Sequence, residues 1–256
     1  MAKACLITGG ARGIGRAAAV RAAQAGWDVA IGYRERADAA AAAVAEVERR
    51  GRRAVAVRGD VAVEADVVAM FESAERALGA LSGLVNSAGI SFPARVEALG
   101  AGDLTRMMAV NVVGLMIACR EAAKRMSTAR GGKGGTIVNL SSMAATIGGR
   151  ARNSAYAASK GAVDVFTAGF AREVAAEGIR VNVVRPGMTD TEMIGALREA
   201  GPQRDAAAAA IPMRRFGTAD EVAAAIVWLL SDEAAFVTGA HLNVGGGGFH
   251  VGAPAG

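Results

Sequence analysis

Short β-rich apolar runs alternate with longer amphipathic or alanine-rich stretches along this 256-residue chain. That alternation is the pattern of βα units, and it constrains the chain to an α/β fold with a parallel sheet and helices on both faces. The strand candidates are Ala4 to Thr8, Trp27 to Tyr33, Arg53 to Val57, Gly83 to Asn86, Thr136 to Ser141, Arg180 to Val184 and His241 to Val244. Helices are expected near 14–25, 38–50, 63–78, 103–127, 154–177 and 219–230. Right-handed crossovers join such units into an open, doubly wound sheet. The run Ala39 to Ala43 reads as helix rather than linker, because Val44, Val47 and the neighbouring charges restore an amphipathic pattern.

At this length, with 52% hydrophobic residues and 34 glycines, one domain spanning 1–256 is sufficient. The two cysteines, Cys5 and Cys119, fall in an apolar strand and an apolar helix, which fits a reducing, cytoplasmic setting. The apolar run after Met1 is too short for a signal or a membrane span. A net charge of +5 raises nucleic acid as a partner, but the arginines are scattered. The densest run, Arg49, Arg50, Arg52 and Arg53, reads as a solvated helix end without aromatic interleaving, so no nucleic acid is expected. His241 is expected in a strand and His250 in the tail, and neither has metal-ligand spacing.

Thr8, Gly9, Gly10, Ala11, Arg12, Gly13, Ile14 and Gly15 follow the first strand and open the first helix. Glycines there let a dinucleotide pyrophosphate approach the backbone at a helix N-terminus, where free N–H groups favour anions. The second strand ends in Gly32, Tyr33 and Arg34, with no acid to receive a ribose 2′-hydroxyl; Asp28 lies at the wrong end. Arg34 and Arg12 are instead suited to a 2′-phosphate, so NADP(H) is expected over NAD(H). Asp60 and Val61 after the third strand are placed for the adenine edge, and Asn86, Ser87, Ala88 and Gly89 after the fourth for pyrophosphate and ribose. Turn chemistry alone would also account for both groups.

Tyr156 and Lys160 are four residues apart in a predicted helix, and so share a face. A neighbouring ammonium favours the phenolate, which lowers the tyrosine pKa toward the range where it can exchange a proton with substrate. A plain helix-face contact is the alternative, and the other motifs weigh against it.

Taken together, Thr8 to Gly15, Asn86 to Gly89, Asn111, Ser141 and Ser142, Tyr156 to Lys160, and Pro186 with Gly187 make the chain resemble the short-chain dehydrogenase/reductase family over nearly its full length. Within that family it is similar to members of the 3-oxoacyl-acyl-carrier-protein reductase and glucose 1-dehydrogenase kind. The resemblance implies a Rossmann-like sheet of seven parallel strands and a nicotinamide cofactor. Tyr156 would be the general acid/base, and Lys160 would lower its pKa and bind the nicotinamide ribose. Ser142 would hold the substrate oxygen, with Ser141 the alternative hydroxyl, and Asn111 would support a water-linked proton relay, unless it is simply a satisfied buried amide. Pro186, Gly187, Thr189 and, second to it, Thr191 would meet the carboxamide, and Asp190 to Pro212 would form a substrate lid.

Ser87 stands where the family usually has asparagine, and one extra residue separates Ser142 from Tyr156, in Gly148 to Ser154, where the loop is expected to bulge. The expected activity is hydride transfer between nicotinamide and a small-molecule carbonyl or secondary alcohol, in a homotetramer or homodimer. An epimerase or dehydratase with bound cofactor, or a non-catalytic cofactor sensor, are the rival readings. Phe92, Ile147, Met188 and Met193 suggest an apolar substrate pocket.

Overall fold

The computed structural model describes residues 3–248, so His250 lies outside the described residues. Its strands are β1 (Ala4–Thr8), β2 (Asp28–Tyr33), β3 (Ala54–Arg58), β4 (Gly83–Asn86), β5 (Gly135–Leu140), β6 (Ile179–Pro186), the two-residue β7 (Thr189–Asp190) and β8 (Gly217–Thr218), and β9 (His241–Val244). The helices are α1 (Gly13–Gln24), α2 (Ala37–Glu48), α3 (Glu64–Leu78), α4 (Ala101–Met108), α5 (Gly114–Met126), α6 (Ala144–Ile147), α7 (Ser154–Val174), α8 (Pro202–Ala209) and α9 (Ala219–Leu230). Among the described residues seven strands form one all-parallel sheet in the order β3-β2-β1-β4-β5-β6-β9, and β7 pairs separately with β8.

Each face of the sheet has its own core. Helices α3, α5 and α7 cover one, with Phe71, Leu84, Ile137, Val163 and Phe170 between helix and strand. Helices α1, α2 and α9 cover the other, where Ala18, Ala22, Val29, Ile31, Ile226 and Leu229 are packed. The alanines of α1 let that helix lie close to the sheet, and each large side chain buried here contributes about 1.5–3 kcal/mol. The run Ala101–Met126 is long and apolar enough to cross a bilayer by length and composition. Here it is a core helix, since Val110, Leu115, Ala118, Cys119, Ala122 and Met126 pack on the sheet.

Three sequence expectations are corrected. The helix expected over 103–127 is interrupted by a π-helical turn, Ala109–Val113, with Asn111 at its centre. Trp27 lies just before β2 rather than in it, buried in the second core. Arg52 and Arg53 are not simply a solvated helix end: although Arg53 is still exposed, both reach the buried Asp28 carboxylate, at 2.7 and 2.8 Å, because a carboxylate taken out of water needs counter-charge. Arg50 does serve the helix end, donating from Nη1 to the Glu46 carbonyl at 2.6 Å.

Candidate active site

The strand order reverses at β1, which has β2 on one side and β4 on the other, so a crevice opens at the carboxyl ends of β1 and β4. Two loops meet there backbone to backbone. Thr8 Oγ1 accepts the N–H groups of Ser87 and Ala88 at 3.1 and 3.2 Å. A Cβ on Gly9 would lie 2.9 Å from Ala88 Cα, and one on Gly15 would lie 2.3 Å from the Gly9 carbonyl oxygen. The tie uses the main chain of residue 87, so serine in place of asparagine leaves it intact.

The N-terminus of α1 in this crevice has no side-chain cap and no acid in its first turn. That of α9 is closed by a full capping box between Thr218 and Glu221. A helix start with open N–H groups, lined by glycine, fits an anionic group such as a dinucleotide pyrophosphate. Ile14 and Tyr33 pack on the core beneath it. The expected phosphate-binding arginines already have carboxylate partners. Arg12 Nη1 donates to Glu192 at 2.9 Å, and Arg34 pairs with Glu35 and lies 3.7 Å from Asp60. Asp60 also takes a 2.6 Å bond from Arg106 and accepts the Ala62 N–H, so its carboxylate holds its own loop. Val61 is nearly buried beside it.

On α7, Tyr156 and Lys160 share a face, with Lys160 Nζ 5.8 Å from the phenol ring centroid. Lys160 is 4% exposed and donates to the Leu140 carbonyl at the end of β5, at 2.8 Å. Burial pushes its pKa down to about 8, against a pull upward from Asp164. The tyrosine shifts the opposite way from the sequence expectation. Burial raises the Tyr156 phenol, and the Ser142 hydroxyl draws it partly back. Sequence spacing revealed the shared face but not how far the hydroxyl lies from water. Ser142 is thus the serine beside the phenol. The Ser141 hydroxyl is spent on the Lys160 carbonyl at 3.0 Å, pinning β5 to α7.

The side chains of two expected site residues, Asn86 and Asn111, are internal struts. Asn86 Nδ2 donates to Asn139 Oδ1 at 2.9 Å, and Asn139 Nδ2 to Thr167 at 2.9 Å, which ties β4 through β5 to α7. Cys119 Sγ lies 3.4 Å from the Asn86 amide, so this cysteine touches the motif at the end of β4. Asn111 is fully buried; its Nδ2 donates to the Ile90 carbonyl at 2.9 Å and to Ser159 Oγ at 3.0 Å, and its Oδ1 accepts the Ile90 N–H. Both amide protons are therefore consumed, and none is free for the expected relay. Ser159 in turn donates to the Tyr156 carbonyl at 2.7 Å, so Asn111 joins the β4 loop to the catalytic-helix candidate. A Cβ on Gly89 would meet Asn111 Oδ1 and Lys160 Nζ, each at 3.5 Å.

Beyond β6, Pro186 accepts the Met143 N–H and Gly187 donates to Val244, both at 2.9 Å. The Thr189 hydroxyl is turned onto the Gly187 carbonyl at 3.1 Å in a buried setting. Thr191 lies over the glycine loop instead, its methyl 3.6 Å from where a Cβ on Gly13 would sit. The stretch 190–212 contains the helix α8, with Pro202 at its first turn, and its Ala207 and Ile211 form a small core with Phe216, just beyond it, against which Met188 packs. Met193 is 55% exposed. The expected bulge between Ser142 and Tyr156 holds three left-handed residues, Gly148, Gly149 and Arg152, and Arg152 at φ 72° has no glycine's freedom to relieve it. Sequence reasoning missed Glu192 and Ser159; nothing in local spacing could have found the first, whose partner is 180 residues away.

The matching protein family, described as Enoyl-(Acyl carrier protein) reductase, covers residues 9–250. An uncharacterized oxidoreductase, YgfF, of Escherichia coli (strain K12) is 47% identical over 94% of this chain and 98% of its own length. The 3-oxoacyl-[acyl-carrier-protein] reductase of Mus musculus is 39% identical over 96% of this chain and 98% of that protein. Among solved structures, a short chain dehydrogenase from Burkholderia cenocepacia J2315 in complex with NADP superposes with a TM-score of 0.90 at 38% identity, covering 97% of this chain and 98% of that one. A blue fluorescent protein from a metagenomic library in complex with NADPH gives a TM-score of 0.88 at 37% identity, with coverage of 97% and 98%.

Proposed function

The chain belongs to the short-chain dehydrogenase/reductase family, and we propose that it is an NADP(H)-dependent oxidoreductase acting on a carbonyl or secondary alcohol, with Tyr156 as the general acid/base. The observation that carries this reading is the convergence of Ser142, Tyr156 and Lys160 beside an uncapped, glycine-lined helix start. Bound cofactor would supply or accept the hydride. The cradle of Gly9, Gly13, Ile14, Gly15, Ala88 and Gly89, with Thr191 lying over it, would receive its pyrophosphate and ribose, Arg12 and Arg34 its 2′-phosphate, and the segment from Pro186 to Thr189 its carboxamide end.

In the reductive direction Tyr156 donates a proton to the substrate oxygen while Ser142 hydrogen-bonds the same atom as charge builds on it. Burial keeps the phenol protonated near neutral pH, which suits an acid. Lys160, fixed to β5 through Leu140, lends positive charge as the phenolate forms. Asn111 acts as a positioning residue, and any relay of protons past it runs through the main chain of the π turn. The stretch 190–212 closes over the substrate as a lid and excludes water. Exposed Leu104, Met108, Val113 and Val165 on α4, the π turn and α7 offer an apolar face for a homotetramer or homodimer.

The test is turnover of NADPH and NADH against a panel of carbonyls and alcohols, followed by absorbance. Net NADPH consumption with at least one carbonyl, at higher kcat/KM than NADH, is expected. An epimerase or dehydratase would convert substrate with no net absorbance change. A clear NADH preference would overturn the cofactor assignment.

A further inference from the structure

The adenosine end of the crevice holds three arginines, and each is covered by a carboxylate. Arg34 pairs with Glu35 and Arg36 with Asp38, partners one and two residues away. Arg12 differs, because its partner Glu192 comes from the first turn of the lid, 180 residues on, at 2.9 Å. The two side chains are 60% and 49% exposed, so water and a ligand can reach the pair. Glu192 follows Thr191, whose methyl already leans on Gly13, so the root of the lid sits on the glycine loop. One kink further along, Gly195 adopts φ 55° and ψ −127°, a conformation suited to a hinge.

We propose that Glu192 is a specificity-determining residue that competes with the cofactor's 2′-phosphate for Arg12. The proposal rests on the NADP(H) reading above. A carboxylate and a phosphate sharing one guanidinium repel each other, so each lowers the affinity of the other. NADH lacks the 2′-phosphate and has less need to displace Glu192.

Isothermal titration of the full chain with NADPH and with NADH tests this in wild type, Glu192→Gln, Arg12→Gln and the double variant. Glu192→Gln is expected to tighten NADPH by roughly 2- to 5-fold while NADH changes less than about 1.5-fold, the range of a half-exposed charge pair. The gain is expected to shrink in high salt and to vanish in the double variant. Unchanged or weaker NADPH binding in Glu192→Gln, with Arg12→Gln still losing NADPH affinity, overturns the competition alone. If Arg12→Gln binds NADPH like wild type, the phosphate role of Arg12 falls, and the competition falls with it.

Discussion

The two halves of the crevice are built on different principles. On the side formed by β1, β2 and β4, main chain touches main chain: the position a Cβ would take at Gly15 is 2.3 Å from a carbonyl oxygen, and at Gly9 it is 2.9 Å from a neighbouring Cα. On the side formed by β6 and residues 189–217, main-chain ties persist at its root, in the two-residue β7–β8 pair and the Gly217 N–H to the Met188 carbonyl at 2.9 Å, but the stretch above is held by side-chain ion pairs, Arg204 to Asp190 at 2.8 Å and Arg215 to Glu221 at 2.6 Å, over a three-residue core. Exposed pairs of that kind contribute about 0.2–1 kcal/mol each. A ligand with one fixed shape is served by a backbone mould that tolerates no side chain. A substrate that differs from enzyme to enzyme is served by contacts that can be exchanged without disturbing the sheet.

The comparison breaks most readily at Gly15. Gly15→Ala is expected to destabilise the fold by about 3 kcal/mol, as overpacking against rigid backbone does, and to weaken NADPH binding by about tenfold or more. Denaturant midpoints and cofactor titration check both. If the alanine variant binds NADPH normally, the mould is softer than its geometry implies.

A matched pair of truncations sharpens the contrast. Phe71 is completely buried in the core beneath α3, and Phe71→Ala is expected to cost about 3–5 kcal/mol of global stability. Phe216 belongs to the small lid core and lies 4.7 Å under the Arg204 guanidinium. Phe216→Ala is expected to move the global midpoint by less than about 1 kcal/mol, since the lid can open locally, while raising KM for substrate and leaving the cofactor Kd alone. Equal loss of global stability in the two variants would remove the distinction between the halves.

A smaller effect, a few-fold in rate, is expected with pH. Lys160, lowered to about 8, carries its charge below that pH and loses it above, so reductive kcat/KM with NADPH is expected to be level up to about pH 8 and to fall beyond. The stability linkage has its own sign. An unfolded lysine titrates near ~10.4, so between about 8 and that value the unfolded chain binds more protons and the contribution of Lys160 to stability rises with pH. A rate profile that stays flat to pH 10 would detach Lys160 from the chemistry.

Much of the mould was legible in the sequence, because glycines, turn residues and strand periodicity are local signals. Ala4 to Thr8, Gly83 to Asn86 and His241 to Val244 were placed to the residue, and the other strands within two residues. In the stretch 190–212 the helix α8 was not foreseen, although Gly201 and Pro202 mark a helix start. The π turn at Asn111 was invisible, since an apolar pattern of helical period does not register one extra residue in a turn. What spacing cannot tell is how a polar side chain spends its hydrogen bonds. The Asn86 and Thr189 side chains, expected beside ligand, are turned inward, Asn111 takes the alternative of a satisfied buried amide, and Tyr156 was expected to have a lowered pKa but is raised by burial.

The central claim is that the phenol of Tyr156, held in the seam between these two halves, exchanges the proton of the reaction. Tyr156→Phe removes that hydroxyl and little else. Turnover of the variant on a carbonyl that wild type reduces should fall by about 10²- to 10⁴-fold, with NADPH affinity and melting temperature essentially unchanged. Near-wild-type turnover in that variant would contradict the account.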